Sequence, residues 1–197
     1  MSYEIISQVE NLFSDKEQWD SFLDIVSQKP QICSTWWNKF GSEMNKSVKS
    51  VKDWGYSNCS PLDYRWYINE FGINSFCLIA GNLWGKMSIR LWAPANKYNL
   101  KTLSEYLQKE EYGEPIKAKF DSLNYIGNET TDWKYIEFII PEDVKERETF
   151  DIDRMAWYAN YDTEKLVSQF IKKVNKFRED EEITKILIKL NNDTIIK

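Results

Sequence analysis

The chain has 197 residues, a net charge of −5 and no histidine. This length favours one domain with a substantial core, and the acidic charge argues against nucleic acid as the main partner, because phosphate binding depends on Lys and Arg. The missing histidine excludes Ser-His-Asp and Cys-His catalytic groups, and every zinc site that needs an imidazole ligand.

The cysteines and the apolar segments bear on the compartment. Cys33, Cys59 and Cys77 are widely spaced and form no C-x-x-C motif, which is typical of reduced, mostly buried thiols in a cytosolic protein. The N-terminal residues lack the basic start of a secretory signal. No apolar run approaches the ~20 residues of a membrane helix. We therefore expect a cytoplasmic protein that does not contact a membrane.

Residues 1–53 form the predicted helical part of the chain. Apolar residues recur at helical spacing over 4–13, and Ser14 with Glu17 forms a capping-box pattern for a helix to about Gln28. Pro30 is expected to start a third segment. Lysines alternate with its apolar positions, as a solvated helix face or as a basic binding face. These lysines are Lys39, Lys46, Lys49 and Lys52.

The next stretch predicts a loop followed by the middle of the core. Residues 53–61 are rich in Gly, Ser and Asn and favour a loop. Three antiparallel strands are predicted at 63–71, 75–80 and 86–92. The first and third alternate with period two, while the second is almost wholly apolar and should be covered on both faces. Pro94 should end the third strand.

The second half of the chain predicts an inserted helix, two further strands and C-terminal helices. The helix is expected at 99–109 and the strands at 115–123 and 133–140. Residues 153–161 fit a strand or the start of a helix. Asp162 is a good N-cap for the helix after it, and the polar tail from Asn191 onward is expected to fray.

These elements define an α+β fold. We expect a single domain over 1–197, with a helical part at 1–53, a sheet with one inserted helix at 63–140 and C-terminal helices at 162–190. The sheet should be antiparallel, with about five strands packed by the N-terminal and C-terminal helices.

One pattern could carry metal-dependent chemistry. Asp121 and the sequence Asp132-Trp133-Lys134 lie at facing ends of a predicted hairpin. Two carboxylates and a lysine could hold Mg²⁺ and support attack on a phosphodiester, and the pattern resembles that of restriction-endonuclease-like nucleases. A second match at Asp143-x-Lys145 shows how easily the pattern arises, and cross-strand surface ion pairing is the simpler explanation of it.

The aromatic content offers a different kind of site. The chain has nine tryptophans, eleven tyrosines and ten phenylalanines, enough for a large core and also for a contact surface. Trp54, Tyr56 and Trp84 fall in predicted loops or turns. They are therefore candidates for contact with a partner or a sugar ring, although they could instead close the ends of the core.

The first hypothesis for function is a non-enzymatic cytosolic protein that binds another protein. An inhibitor or immunity-type protein that neutralises its partner would suit the size, the acidity and the missing catalytic groups. The alternatives are a metal-dependent nuclease that uses Asp121, Asp132 and Lys134, and a small-ligand or carbohydrate module. No cofactor is expected, apart from Mg²⁺ under the nuclease alternative.

Overall fold

The structure is a computed structural model that describes residues 12–13, 15–83, 85–119, 124–126, 133–137 and 151–196. The chain divides into two compact units, Met1–Thr35 and Trp36–Lys197. The described helices are α1 (Lys16–Ser47), α2 (Leu100–Gln108), α3 (Glu110–Lys117), α4 (Ile152–Tyr161), α5 (Thr163–Arg178) and α6 (Glu181–Thr194). The described strands are β1 (Trp54–Ser60), β2 (Asp63–Ile68), β3 (Cys77–Leu83), β4 (Lys86–Trp92), β5 (Asn124–Ile126) and β6 (Trp133–Glu137).

The described part of the first unit is the beginning of α1. Asp15 caps this helix, because its Oδ1 accepts a hydrogen bond from the Gln18 backbone N–H at 2.8 Å. The predicted cap, Ser14, lies outside the described residues. The expected break at Pro30 is wrong, because α1 continues through this proline. A proline inside a helix removes one hydrogen bond and costs about 3 kcal/mol. The many other hydrogen bonds of this 32-residue helix offset that cost.

The apolar side of α1 in this unit is partly exposed to solvent. Trp19 is 43 % exposed, and Phe22, Leu23 and Val26 are exposed as well. Phe13, Trp19 and Phe22 form a ring cluster of their own, with centroids 4.8–5.6 Å apart.

The second unit contains an antiparallel sheet in the order β1-β2-β3-β4-β6-β5. The α+β class is confirmed, and the expected count of about five strands is corrected to six. One face of the sheet carries the core, because Trp66 pairs with Leu78 and Tyr64 with Ala80, and these side chains are fully buried.

Helices that precede and follow the sheet strands along the chain complete this core. Phe40 of α1 packs edge-on against Tyr64 of β2 and Phe170 of α5, at 5.5 and 5.4 Å between ring centroids. Helix α5 contributes an apolar stripe, in which Leu166, Phe170, Val174 and Phe177 are buried together with Val167. Packing by N-terminal and C-terminal helices is thus the observed arrangement in this unit.

Three further predictions of local structure are wrong. The expected loop at 53–61 is strand β1, which pairs with β2 from Trp54 opposite Ile68 onward. The expected strand at 115–123 begins inside α3, whose helix contains Pro115. The tail from Asn191 continues α6 to Thr194 and is buried at Asn191. In the first and third cases, tertiary contacts outweigh a composition that favours a turn or a frayed end.

Candidate functional site

Helix α4 presents an exposed aromatic face opposite a buried face of small and apolar residues. Asp151 starts the helix, since its Oδ1 accepts hydrogen bonds from the backbone N–H groups of Asp153 at 2.9 Å and Arg154 at 3.2 Å. The buried face consists of Met155, Ala156 and Ala159.

On the other side of α4, Trp157 is 49 % exposed and Tyr161 is 63 % exposed. The two residues stand at positions i and i + 4 of the helix, which places both rings on one helical face.

The two exposed rings belong to one connected cluster with the half-buried rings of Tyr158 and Trp36. Trp157 stacks on Tyr161 with ring centroids 5.0 Å apart and planes 27° from parallel. The Tyr158 ring meets Trp157 edge-on at 5.0 Å, and Trp36 of α1 meets Tyr161 edge-on at 5.9 Å. We call these four residues the aromatic patch.

Ring contacts of this geometry add about 0.5–1.5 kcal/mol beyond the burial of area. They therefore hold the aromatic patch in a fixed arrangement while it faces solvent.

Hydrogen bonds between α1 and α4 fix the position of the patch. The indole Nε1–H of buried Trp37 donates to the backbone oxygen of Ile152 at 3.1 Å. Lys39 Nζ donates to the backbone oxygen of Asn160 and lies 3.3 Å from its Oδ1. The Thr163 hydroxyl donates to the Ala159 oxygen at 2.8 Å. These bonds attach both ends of α4 to their neighbours, so the aromatic patch rests on a rigid support.

A polar cleft of about 460 Å³ adjoins the patch at Tyr161. Its walls carry charges of both signs, which together form a polar edge next to the aromatic rings. The charged residues are Lys39, Glu43, Lys46, Asp162, Glu164 and Lys165. The Lys46–Glu43 pair is an exposed ion pair at 3.1 Å, so its charges are largely compensated and contribute little to stability.

The aromatic residues that the sequence offers as contact candidates do not belong to the aromatic patch. Trp54 is 5 % exposed, and its Nε1–H donates to the Thr184 hydroxyl at 3.1 Å. The half-buried Tyr56 ring packs on Trp66 at 5.3 Å, and burial raises the pKa of its hydroxyl well above the ordinary value. Both residues belong to strand β1 rather than to a loop. Of the two alternatives left open by the sequence, the burial of Trp54 fits a core residue rather than an exposed contact residue. Trp84 lies outside the described residues.

The residues of the nuclease hypothesis cannot be placed together from the described chain. Asp121, Asp132, Asp143 and Lys145 lie outside the described residues, and for Lys134 the structure describes only the backbone, which pairs with Leu91 and Tyr125. Among the side chains that the structure describes, no three carboxylates or thiols are close enough to hold a metal ion. Convergence of Asp121, Asp132 and Lys134 therefore stays a prediction.

Sequence reasoning missed the aromatic patch because it left 153–161 open between strand and helix. The signal was present in the spacing. Trp157 and Tyr161 stand at positions i and i + 4, and Ala156 and Ala159 fall on the opposite helical face. Nothing in the local sequence distinguishes Trp36 from its neighbour Trp37. Only the structure shows that Trp37 is the buried residue of the pair.

Comparison with known proteins adds no relative. No protein-family model matches the chain, and no curated protein or solved structure matches it. Within the residues that the structure describes, every helix is too short or too polar to cross a membrane.

Proposed function

We propose that this chain is a non-enzymatic protein that binds another protein through the aromatic patch. The observation that carries the proposal is the stacked, solvent-facing pair of Trp157 and Tyr161. Tryptophan and tyrosine are enriched among the residues that dominate binding energy at protein interfaces. Rings that stay in water contribute little to the stability of the monomer. A partner that covers them removes apolar surface from water, which favours binding.

The surroundings of the patch support a protein partner. The polar cleft beside Tyr161 supplies charges of both signs, and interfaces commonly have an apolar centre with a polar rim. The ring contacts and the bonds to Trp37 and Lys39 hold the patch in place before binding. Less conformational freedom is then lost when a partner docks.

The proposal extends to the kind of partner and the compartment. The size, the net charge of −5 and the lack of histidine suit an inhibitor or immunity-type protein that neutralises its partner in the cytoplasm. An acidic protein of this kind would meet a basic partner faster than a neutral one would, because opposite charge raises the association rate.

A carbohydrate is the second candidate, favoured by the polar cleft beside an exposed ring. Tyr161 borders the cleft together with Asn160 and Asp162, and sugar rings pack on aromatic faces while their hydroxyls bond to amides and carboxylates. The stacking of Tyr161 on Trp157 leaves less ring face for a sugar than two separate rings would. For this reason the protein partner is preferred.

The test compares wild type with the Trp157→Ala/Tyr161→Ala variant and with Trp19→Ala, which removes an exposed tryptophan from the first unit. A partner captured from lysate would be identified, purified and titrated against all three proteins. Loss of one such anchor typically costs about 2 kcal/mol, or roughly 30-fold in Kd. We expect at least this loss for the double variant and little change for Trp19→Ala.

Two results would contradict the proposal. One is a purified partner that binds wild type and the folded double variant equally well. The other is a glycan that binds wild type specifically and loses affinity in the double variant while no protein binds, which would establish the carbohydrate alternative.

A further inference from the structure

A second pocket lies away from the aromatic patch, between the segment after α1 and the helices α5 and α6. Its volume is about 320 Å³, within the range of small-ligand pockets. Arg178 lines it from the end of α5, while Thr184 and Ile188 line it from α6. It shares no lining residue with the polar cleft beside Tyr161, so the two sites can be tested separately.

Arg178 is a buried charge in the wall of this pocket. The residue is 4 % exposed. Its terminal nitrogens donate to the Lys49 backbone oxygen at 2.7 Å and to the Asn175 Oδ1 at 3.1 Å. Its Nε is buried and has no hydrogen-bond partner among the described residues. Burial lowers the pKa of the guanidinium, and Glu179 offsets part of that effect.

The hydrogen bonds of Arg178 include no counter-charge. Both acceptors are neutral amide oxygens, and within the described residues no carboxylate forms an ion pair with this guanidinium. A buried charge costs several kcal/mol unless a counter-charge or enough hydrogen bonds compensate it. An anion that enters the pocket would supply a counter-charge to the guanidinium.

The rest of the lining selects among anions. Val51 and Ile188 provide aliphatic surface, which suits a ligand with a small apolar body. The exposed Lys52 and Lys185 also line the pocket and favour an anion. Three carboxylates counter them and disfavour a doubly charged phosphate. These carboxylates belong to Asp53, Glu179 and Glu181.

We propose that this pocket binds a small organic carboxylate, with its charge paired to Arg178 and its aliphatic body against Val51 and Ile188. A singly charged carboxylate matches the planar guanidinium in shape and can accept two parallel hydrogen bonds. This ligand site is independent of the proposed protein partner.

Trp54 provides a direct readout of binding. Its indole N–H donates to the hydroxyl of Thr184, which lines the pocket. A ligand there should shift the Trp54 indole resonance in a ¹H–¹⁵N spectrum. The Trp37 indole donates to Ile152 instead, a residue outside the pocket lining, and should not shift.

The probes are isobutyrate, its uncharged analogue isobutyramide, and inorganic phosphate, each titrated into the full chain. We expect saturable shifts of the Trp54 indole and the Arg178 Nε–H with isobutyrate. Isobutyramide should give no saturable shift, because it lacks the charge that pairs with Arg178. Phosphate should bind at least tenfold more weakly than isobutyrate. Equal binding of acid and amide, or no saturable shift with isobutyrate, would overturn the proposal.

Two variants separate a ligand site from a structural role of Arg178. Arg178→Gln should abolish the isobutyrate response in the folded protein, and a folded variant that binds like wild type would refute the site. If Arg178→Gln does not fold, Lys185→Glu takes its place and should weaken binding about threefold. Lys172→Glu is the matched control, since it makes the same charge change at an exposed position of α5 that does not line the pocket. Equal effects of the two lysine variants would also overturn the proposal.

Discussion

Asn191 of α6 and Phe76, just before β3, are joined by a pair of hydrogen bonds between a side-chain amide and a backbone. The Phe76 N–H donates to Asn191 Oδ1 at 3.0 Å, and Asn191 Nδ2 donates to the Phe76 oxygen at 3.1 Å. The Tyr98 hydroxyl also donates to Asn191 Oδ1, at 2.7 Å. All three residues are buried. This one amide therefore joins α6 to two other segments of the chain in the core.

Replacing Asn191 by alanine should destabilise the protein by about 3 kcal/mol or more. The substitution leaves the Phe76 backbone groups and the Tyr98 hydroxyl buried without their partner, and each such group costs about 1–3 kcal/mol. Urea unfolding would measure the loss of free energy. Asn192→Ala, at the exposed neighbouring position, should change it by less than about 0.5 kcal/mol. Equal effects of the two substitutions would show that the amide pair does not stabilise the core.

Gly81 of β3 should not tolerate a side chain. A Cβ at this position would lie 2.3 Å from the backbone oxygen of Leu62, and that oxygen accepts the Asn82 N–H at 3.0 Å. We expect Gly81→Ala to cost at least about 2 kcal/mol, because overpacking against backbone forces strands apart.

Gly72→Ala is the comparison for Gly81→Ala. Gly72 has φ of +73° but leaves open space for a Cβ among the described residues, so only the backbone penalty of about 1 kcal/mol applies. Thermal unfolding of both variants gives the order, and a larger loss in Gly72→Ala would contradict the close contact at Gly81.

Asp180 should contribute to stability in a pH-dependent way. The hydrogen bond from Lys119 and the α6 N–H groups of Glu182 and Ile183 hold the pKa of its carboxyl below the ordinary 3.8. Because the folded pKa is the lower one, the stabilisation is complete above pH 3.8 and disappears as the pH falls through the folded pKa. For this partly exposed group it should amount to less than about 1 kcal/mol.

Asp180→Asn would test this effect, because asparagine still caps a helix but carries no charge. The difference in unfolding free energy from wild type should be present at neutral pH and vanish in strong acid. Asp162→Asn makes the same change at the N-cap of α5, where the side chain forms no capping bond within the described residues. A difference for Asp180→Asn that does not change with pH would contradict this role of the charge.

The cysteines should differ sharply in reactivity. Cys59 is exposed, whereas Cys77 is fully buried and burial raises the pKa of its thiol from 9.0 to about 12. A shift of this size lowers the thiolate fraction on the order of a thousandfold. Iodoacetamide at pH 8 should modify Cys59 and spare Cys77 until the protein is unfolded in urea. Peptide mass spectrometry distinguishes the two, and rapid modification of native Cys77 would show that β3 opens readily.

Local sequence patterns predicted the elements whose periodicity is strong. Helix α5 is an example, since Leu166, Phe170 and Val174 recur at helical spacing and all are buried. Strands β2, β3 and β4 follow from period-two alternation and a central apolar run. In these segments the local preference and the tertiary environment agree.

Local patterns failed where a distant segment supplies the stabilising contacts. Residues 54–60 have the composition of a loop, yet they form β1 because they pair with β2, with one irregularity between Asn58 and Ser60. Asn191 resembles the start of a frayed tail, yet it is buried because Phe76 and Tyr98 bond to it. A hydrogen-bond partner more than ninety positions away along the chain cannot be predicted from a local sequence pattern.

By itself, the sequence determined the chemistry that this protein lacks and the side chains it offers, because the absence of histidine and the abundance of tryptophan are properties of composition. Only the tertiary structure decided which aromatics face solvent. Trp54 is buried against α6, while Trp157 and Tyr161 lie on the outer face of α4. The physical reason is that exposure depends on which neighbours a fold brings to a ring, and those neighbours come from all parts of the chain.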